Sequence, residues 1–246
     1  MYHEIVQGEP QEIHAVSVTA FYEQMKWLRD NDYKVVKLAD WINPDVSIKP
    51  KNKKIIAITF DDGYLDNYTN AWPILDEFGY TATIFLVSDY VGETSAWREG
   101  ALSHAPLLGW DQTREMSAAG ITFGSHSATH PDLSALVRDD EQKELLRSKE
   151  QIEEHIAEPV DTFSYPFSLY NPATMSLVKE TGYKAACTYQ PFYVGDAGRN
   201  PFELQRTGIL ANDNLEYFSD KVRGSLSRQL YWNRRLLSMW VRRLLH

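Results

Sequence analysis

Residues 53–63 read KKIIAITFDDG, an apolar run that ends in two adjacent carboxylates. Four apolar residues in a row, from Ile55 to Ile58, predict a buried strand over residues 55–60. Asp61 and Asp62 follow directly at the strand end, where two like charges side by side are costly unless a cation shares the site. The stretch therefore predicts a buried strand with a cation-binding site at its end.

Strand-like and helix-like segments alternate along the rest of the chain. Strands are also predicted at residues 34–37, 81–87, 121–124, 161–165, 184–188 and 205–210. Helices are predicted at residues 19–30, with Thr19 as N-cap, and at residues 67–78, 111–119, 139–157 and 172–181. Residues 88–109 show no period and are expected to form a long loop, which in a compact domain is often functional. The alternation indicates parallel βαβ units, arranged as a barrel or as an open doubly wound sheet.

Composition and charge exclude several classes of protein. The chain of 246 residues has 43% hydrophobic and 24% charged residues, which is typical of a soluble globular protein. The net charge is −9, but the segment from Arg223 onward holds six arginines and no acidic residue, so the remainder carries −15. This acidic main body argues against nucleic acid as a partner. The lone cysteine, Cys187, excludes an intramolecular disulfide and a cysteine-rich metal site.

Three polar clusters each follow a predicted strand: TFDDG at residues 59–63, GSHSATH at residues 124–130 and SYPFSLYN at residues 164–171. In a parallel α/β fold the carboxyl ends of the strands converge on one face. His126 and His130 can therefore meet one of the two aspartates around a divalent metal, since imidazole and carboxylate suit Zn²⁺ or a similar ion. Each cluster alone has a simpler interpretation, because Asp-Asp-Gly is usually a turn and paired histidines are often structural.

In content and order, these clusters resemble the motifs of the polysaccharide deacetylase family, metal-dependent carbohydrate esterases that remove N-acetyl groups from sugar polymers. TFDDG, HSATH and YPF match the first three motifs of that family, and the resemblance covers residues 1–223. It implies an α/β fold, specifically a distorted (β/α) barrel with about seven parallel strands. It also implies Asp61 as general base, and Asp62, His126 and His130 as metal ligands.

The motif that supplies the general acid in this family is not found at its usual position in this sequence. The late Leu-x-His motif of the family is missing, because the next histidine after Tyr183 is His246 at the end of the chain. The opening residues, MYHEI, instead resemble the first motif of a circularly permuted branch that includes poly-N-acetylglucosamine deacetylases. In that branch the strand with the catalytic histidine comes first, so the resemblance implies His3 as general acid. The alternative is that His3 is a solvated terminal histidine.

Two positions depart from the family pattern. The family commonly has arginine where Ser164 stands, and that arginine orients the catalytic base. Arg206, after a predicted strand, is the candidate replacement, with a purely structural salt bridge as the alternative. The family commonly has tyrosine where Phe167 stands, but it uses the backbone N–H there as an oxyanion donor, and phenylalanine provides one too.

The resemblance implies metal-dependent removal of N-acetyl groups from an N-acetylated amino-sugar polymer or glycoconjugate. Zn²⁺ is the expected metal, with Co²⁺, Ni²⁺ and Fe²⁺ as alternatives. Two other functions stay open: a non-catalytic glycan-binding protein on the same fold, and a metal-dependent hydrolase of another amide or ester. The intact Asp-Asp and His-x-x-x-His set argues against the glycan-binding protein, whereas the altered third motif leaves it open.

The two ends of the sequence bear on the cellular compartment in which the protein works. Residues 224–246 are predicted to form a basic amphipathic helix, whose apolar residues recur near helical spacing: Leu230, Leu237, Trp240, Val241 and Leu244. Residues 225–246 could pack on the acidic body, form an oligomer contact or make peripheral contact with an anionic membrane. The opening residues, MYHEIVQGEP, have no secretory-signal pattern, so none is expected. The compartment stays open: cytoplasmic or membrane-peripheral as written, extracytoplasmic if the N-terminus was trimmed.

Overall fold

The structure, a computed structural model, describes residues 1–42, 54–98, 104–190 and 200–224. Its strands are β1 (Glu4–Val6), β2 (Ala15–Ser17), β3 (Tyr33–Val35), β4 (Lys54–Ile56), β5 (Thr59–Phe60), β6 (Thr83–Leu86), β7 (Thr122–Ser125), β8 (Thr162–Ser164), β9 (Ala185–Gln190) and β10 (Leu204–Thr207). Its α-helices are α1 (Val18–Asp30), α2 (Leu38–Ile42), α3 (Trp72–Glu77), α4 (Trp110–Ala118), α5 (Arg138–Ile156), α6 (Pro172–Glu180) and α7 (Leu215–Arg223).

The main sheet is parallel throughout and curls into part of a barrel. Within the described residues it has six strands, in the order β10-β9-β8-β7-β6-β5. Helices α3, α4, α5 and α6 form the crossovers between β5 and β9, as parallel neighbours require. The predicted distorted (β/α) barrel is therefore confirmed, with six strands in this sheet where about seven were expected.

The N-terminal residues lie between the two edges of the main sheet. Tyr2 forms a parallel bridge with Phe60 of β5. On its other side, the α-amino group of Met1 donates a hydrogen bond to the carbonyl oxygen of Thr207 in β10 (2.9 Å). Met1 and Tyr2 thus stand where a further strand of the barrel would lie, and His3 follows them.

Helix α1 illustrates how apolar spacing places a helix on the core. Phe21, Met25 and Leu28 recur at helical spacing and are fully buried, as the sequence predicts. The N-cap is Ser17, whose hydroxyl accepts a hydrogen bond from the first turn (3.2 Å). The predicted cap at Thr19 is wrong by two residues, because the helix begins at Val18.

Three segments differ from the sequence prediction. The single strand expected over residues 55–60 is two strands, because the chain changes partner: β4 pairs with β3, and β5 pairs with β6. The helix expected over residues 67–78 begins as a π-helical turn at Asn67–Ala71 and continues as α3. Helix α7 was not predicted at all.

The predicted C-terminal helix falls outside the described residues. Residues 225–246 lie there, and so do the three contacts considered for them, with the acidic body, with another copy of the chain or with a membrane. The division into a catalytic domain at residues 1–223 and a helix at residues 224–246 therefore stays a prediction. Within the described part of the chain, no helix combines the length and the apolar character that crossing a membrane requires.

Candidate metal centre

Asp62, His126 and His130 meet at the carboxyl ends of β5 and β7. Oδ1 of Asp62 lies 3.5 Å from Nε2 of His126 and 3.5 Å from Nε2 of His130. One donor atom of each residue lies within 4.8 Å of the other two, and all three side chains are buried. The structure thus brings the three predicted ligands together at one point.

The spacing and chemistry of these donors fit a divalent metal of the first transition row. Tetrahedral Zn²⁺ sites have ligands at about 2.0–2.2 Å, which puts neighbouring donor atoms about 3.4 Å apart. In His126, Nδ1 lies 2.7 Å from the backbone carbonyl oxygen of Ser164, which can only accept a hydrogen bond. The ring proton is therefore on Nδ1, and the lone pair of Nε2 points toward Asp62.

Burial keeps both imidazoles in the form that binds a metal. It lowers the pKa of His130 to about 4 and also lowers the pKa of His126, so both rings are neutral at pH 7. Burial also raises the pKa of Asp62, because an anion is poorly solvated there. The cluster is therefore a set of lone-pair donors around a carboxylate that, among the described residues, forms no ion pair with an arginine or a lysine.

Asp61, the neighbouring carboxylate, has a positively charged partner. Arg206 of β10 contacts it at two points: Nη1 donates to Oδ1 (2.6 Å) and Nη2 donates to Oδ2 (2.7 Å). Ser164 joins the pair, because its Oγ accepts from Arg206 Nη2 (2.7 Å) and donates to Asp61 Oδ2 (3.3 Å). Burial, the largest single influence, would raise the pKa of Asp61, but the charge and the hydrogen bonds of Arg206, with smaller contributions from His126 and His3, together outweigh it and hold this pKa well below its usual range. Asp61 is therefore ionised at physiological pH.

Left-handed backbone conformations concentrate at this centre. In the described chain, φ is between 54° and 72° at these non-glycine residues: Asp32, Asp62, Ser127, His130, Ala157, Phe167 and Ser168. Asp32 and Ala157 lie just after helices, where such a residue commonly ends the helix. The other five belong to the three polar clusters, so the strained positions coincide with the candidate site.

The loop that carries both histidines is held by a carboxylate from helix α5. Glu144 accepts hydrogen bonds from the backbone N–H groups of Ala128 (2.9 Å) and Thr129 (2.8 Å), and from the Thr129 hydroxyl (2.7 Å). The N–H of His130 donates to the hydroxyl of Ser127 (3.0 Å). The loop between the histidines is thereby fixed from both sides, which holds their spacing.

Another pair of imidazoles faces the metal centre across a cavity of about 350 Å³. His3 and His14 line this cavity together with Asp61, Asp62, His126 and His130. The ring centroids of His3 and His14 are 4.9 Å apart, and each ring has a buried Nδ1 without a hydrogen-bond partner in the described chain. Burial lowers the pKa of His3 to about 3 and also lowers the pKa of His14. His3 is thus half-buried beside the site, and its ring is neutral at pH 7.

Aromatic side chains enclose His130. The ring of Trp97 stacks on it (centroids 5.2 Å apart, 22° between planes), and the ring of Phe167 meets it edge-on (4.5 Å, 80°). Phe167 nevertheless keeps 60% of its surface exposed, at the mouth of the same cavity. The loop of Phe167 is tied to β9, because the N–H of Tyr189 donates to the hydroxyl of Ser168 (2.7 Å).

Sequence reasoning missed three residues of the site. Arg98, which also lines the cavity, lies in the segment of residues 88–109 that was expected to form a functional loop, so its region, though not its identity, was indicated. His14 and Glu144 had no signal in the sequence, because their roles arise from contacts with residues distant in the chain.

The sequence profile of a known family, described as polysaccharide deacetylase, matches residues 48–186, more than half of the chain. YxkH of Bacillus subtilis strain 168, named as a polysaccharide deacetylase, is 32% identical over 191 residues, which are 78% of this chain. The chain spans 63% of the length of that relative.

Two further known proteins are similar to this chain, one in sequence and one in fold. A poly-β-1,6-N-acetyl-D-glucosamine N-deacetylase of Staphylococcus aureus is 26% identical over 221 residues, which cover 85% of this chain and 67% of that protein. The solved structure of the Streptococcus pyogenes deacetylase PplD in complex with acetate superposes with a TM-score of 0.77 at 24% identity. That superposition covers 90% of this chain and 96% of PplD, and at this identity it supports the fold alone.

Proposed function

The chain belongs to the polysaccharide deacetylase family, and we propose that it is a metal-dependent hydrolase that removes N-acetyl groups from an N-acetylated amino-sugar polymer or glycoconjugate. The observation that carries this proposal is the cluster of three donor atoms within 4.8 Å of one another, directly beside an ionised aspartate. The similarity to the Staphylococcus aureus deacetylase supports an amino-sugar polymer as the substrate class.

We propose Asp62, His126 and His130 as the ligands and Zn²⁺ as the metal, because two neutral imidazoles and one carboxylate are a common set for it. Co²⁺, Ni²⁺ and Fe²⁺ accept the same ligands. Such a metal, when bound, polarises the acetyl carbonyl group and makes a nearby water molecule more acidic.

Asp61 is proposed as the group that accepts the proton of the attacking water. Its contact with Arg206 keeps it ionised, but the same contact makes it a weak base. Proton transfer to Asp61 therefore depends on a water molecule that has already been acidified. The role of Arg206 is to hold both oxygens of Asp61 in one orientation toward the cavity.

The remaining roles fall to Phe167 and His3. The backbone N–H of Phe167 is proposed to donate to the oxyanion of the tetrahedral intermediate, and one such donor is worth about 2.7–4 kcal/mol of barrier. His3 is proposed to protonate the departing sugar nitrogen. Because its ring is neutral at rest, it acts as an acid only after it gains a proton. In this proposal the proton is the one that Asp61 takes from the attacking water and passes on, so His3 returns it to the departing nitrogen.

The test is acetate release from N-acetylglucosamine oligomers by three samples of the protein: as purified, after chelation, and after chelation followed by stoichiometric Zn²⁺. Metal content of each sample is measured by mass spectrometry. We expect acetate release to disappear with the metal and return with Zn²⁺. Metal binding without acetate release from any N-acetylated oligomer would contradict the proposal, and oligomer binding in that case would favour the non-catalytic alternative.

A further inference from the structure

The backbone of His3, the proposed general acid, is held by the side chain of Asn67. Nδ2 of Asn67 donates a hydrogen bond to the carbonyl oxygen of His3 (2.8 Å), and Asn67 is only 1% exposed. A carbonyl oxygen can only accept, so the nitrogen end of the amide has to face it. Nδ2 also donates to Oδ1 of Asp66 (2.9 Å), whereas Oδ1 of Asn67 is buried with no partner in the described chain. The amide is therefore oriented by what its nitrogen donates to, and one of those acceptors belongs to His3.

A second amide from the same turn holds the next part of the strand. Asn67 and Asn70 both belong to the π-helical turn Asn67–Ala71, and such turns are uncommon and frequently occur at functional sites. Nδ2 of Asn70 donates to the carbonyl oxygen of Ile5 in β1 (2.6 Å), two residues after His3. The π-helical turn thus binds the start of the chain at two points, and the first of them is His3.

The segment that holds His3 also carries Asp61. The N–H of Tyr2 donates to the carbonyl oxygen of Thr59 (2.8 Å), and the N–H of Asp61 donates to the carbonyl oxygen of Tyr2 (3.0 Å). The next carbonyl along the chain, that of His3, accepts from Asn67. The proposed general base and the proposed general acid are therefore tied to one stretch of chain.

We infer that Asn67 is a positioning residue for the proposed general acid, because its amide holds the backbone of His3 so that the imidazole stays in the cavity. The inference rests on the proposed function, since it requires His3 to deliver a proton to the departing nitrogen. The ring of His3 lines the cavity with Asp61 and His126, and its Nδ1 has no hydrogen-bond partner in the described chain. No hydrogen bond at Nδ1 holds the ring there, so its place depends on the backbone.

The experiment measures kcat and KM for acetate release from N-acetylglucosamine oligomers by the zinc-loaded protein, together with its zinc content. Asn67→Ala removes the donor, and Asn67→Leu removes it while filling a similar volume, which separates the lost hydrogen bond from a cavity. Asn70→Ala is the matched control, because it removes the same group from the same kind of bond but frees the carbonyl of Ile5, whose side chain lies in the core.

We expect kcat to fall by about 10- to 100-fold in both Asn67 variants, because a small misplacement of a reacting group has an effect of that size. KM and zinc content should stay unchanged in these variants, and kcat of Asn70→Ala should stay close to that of the unaltered chain. An equal fall of kcat in the Asn67 and Asn70 variants, or a loss of zinc together with activity, would overturn the inference. Failure of the unaltered chain to release acetate would instead overturn the proposed function.

His3→Gln tests whether Asn67 acts through His3. If it does, Asn67→Leu lowers kcat when His3 is present but causes no further loss in His3→Gln. Single-turnover measurements at high protein concentration follow the slow rate that His3→Gln retains. This non-additive result is the signature of two residues that act as one unit. Equal losses in both backgrounds would show that Asn67 acts independently of His3, and the inference would be overturned.

Discussion

Asp61 and Asp62 are neighbours in the sequence, yet the fold gives them opposite electrostatic surroundings. Asp61 is bound at both oxygens by Arg206, which holds its pKa well below the usual range. Asp62 faces two neutral imidazoles, and burial raises its pKa. The left-handed backbone at Asp62 (φ 72°) accompanies this change of direction between the two side chains.

The difference shows how two adjacent buried carboxylates can be stabilised separately. Among the described residues, Asp61 is paired with a permanent cation and Asp62 is not. In our proposal a bound metal ion supplies the positive charge that Asp62 needs. One aspartate is thereby assigned to proton transfer and the other to metal binding. The assignment depends on which strand brings the arginine, and here it is β10.

The largest effects are expected from separate replacement of the two aspartates. Asp62→Asn removes a ligand charge, so we expect loss of both bound metal and acetate release; His126→Ala should behave in the same way. Asp61→Asn leaves the ligands intact, so the metal should stay while turnover falls by about 10²- to 10⁴-fold, the usual contribution of a general base. Metal content and acetate release are measured on the same preparations.

This comparison has a clear adverse outcome. If Asp61→Asn lost the metal and Asp62→Asn kept it, the two roles would be exchanged. If both variants kept metal and activity, neither aspartate would belong to the site. Circular dichroism of each variant controls for folding, since both side chains are buried.

A smaller effect is expected when Arg206, the cationic side chain that pairs with Asp61, is replaced. Arg206→Gln leaves a buried carboxylate without its partner, which typically destabilises a protein by about 3–5 kcal/mol. Without the arginine, burial dominates and raises the pKa of Asp61, so activity should be lost at a higher pH than in the unaltered chain as the medium is acidified. Urea unfolding and the acid limb of the pH–rate profile measure the two effects.

The double variant Arg206→Gln/Asp61→Asn is the matched control. It removes the unpaired charge, so it should be more stable than Arg206→Gln alone despite carrying one more substitution. A double variant no more stable than the single variant would mean that Arg206 stabilises the fold through contacts other than Asp61. Its contact with the ring of Phe85 (5.1 Å) is one such contact.

Much of this centre could be predicted from local patterns. Apolar runs identified the strands that carry Asp62 and His126, and parallel topology requires their carboxyl ends to share a face. The change of partner between β4 and β5 could not be predicted, because an uninterrupted apolar run gives no sign of where pairing shifts. The same holds for the place of Met1 and Tyr2 beside β5, which depends on the open gap between the sheet edges.

Long-range polar contacts were the least predictable feature. Arg206 was a candidate because a family pattern lacked its arginine, and the structure brings its guanidinium to Asp61. Glu144 and Arg98 do not stand in for a residue missing from a family motif, so nothing in the sequence singled them out. A charged residue on a helix or loop is ordinarily solvated, and only the folded chain shows that these two contact a site.

The smallest effect concerns the imidazole side of the comparison, in the metal-free protein. The pKa of His130 is about 4 in the folded chain and about 6.5 when unfolded, so between these values the unfolded chain binds a proton that the folded chain does not. The contribution of His130 to stability should therefore fall as pH is lowered from about 6.5 to about 4, by up to about 1.4 kcal/mol per pH unit, and level off below that range. His3, His14 and His126, whose pKa values burial also lowers, add slopes of their own. Urea unfolding at a series of pH values measures the slope.

His130→Gln isolates this contribution, because it removes the titrating ring and should make the slope shallower by that amount, whatever its effect on stability at pH 7. His104→Gln, at an exposed position, is the control for the loss of an imidazole as such. Bound Zn²⁺ should steepen the decline, since protons compete with the metal for the same lone pairs. A slope that is identical in His130→Gln and the unaltered chain would show that burial does not hold His130 neutral, and the contrast between Asp61 with its fixed cation and Asp62 among neutral rings would then no longer stand.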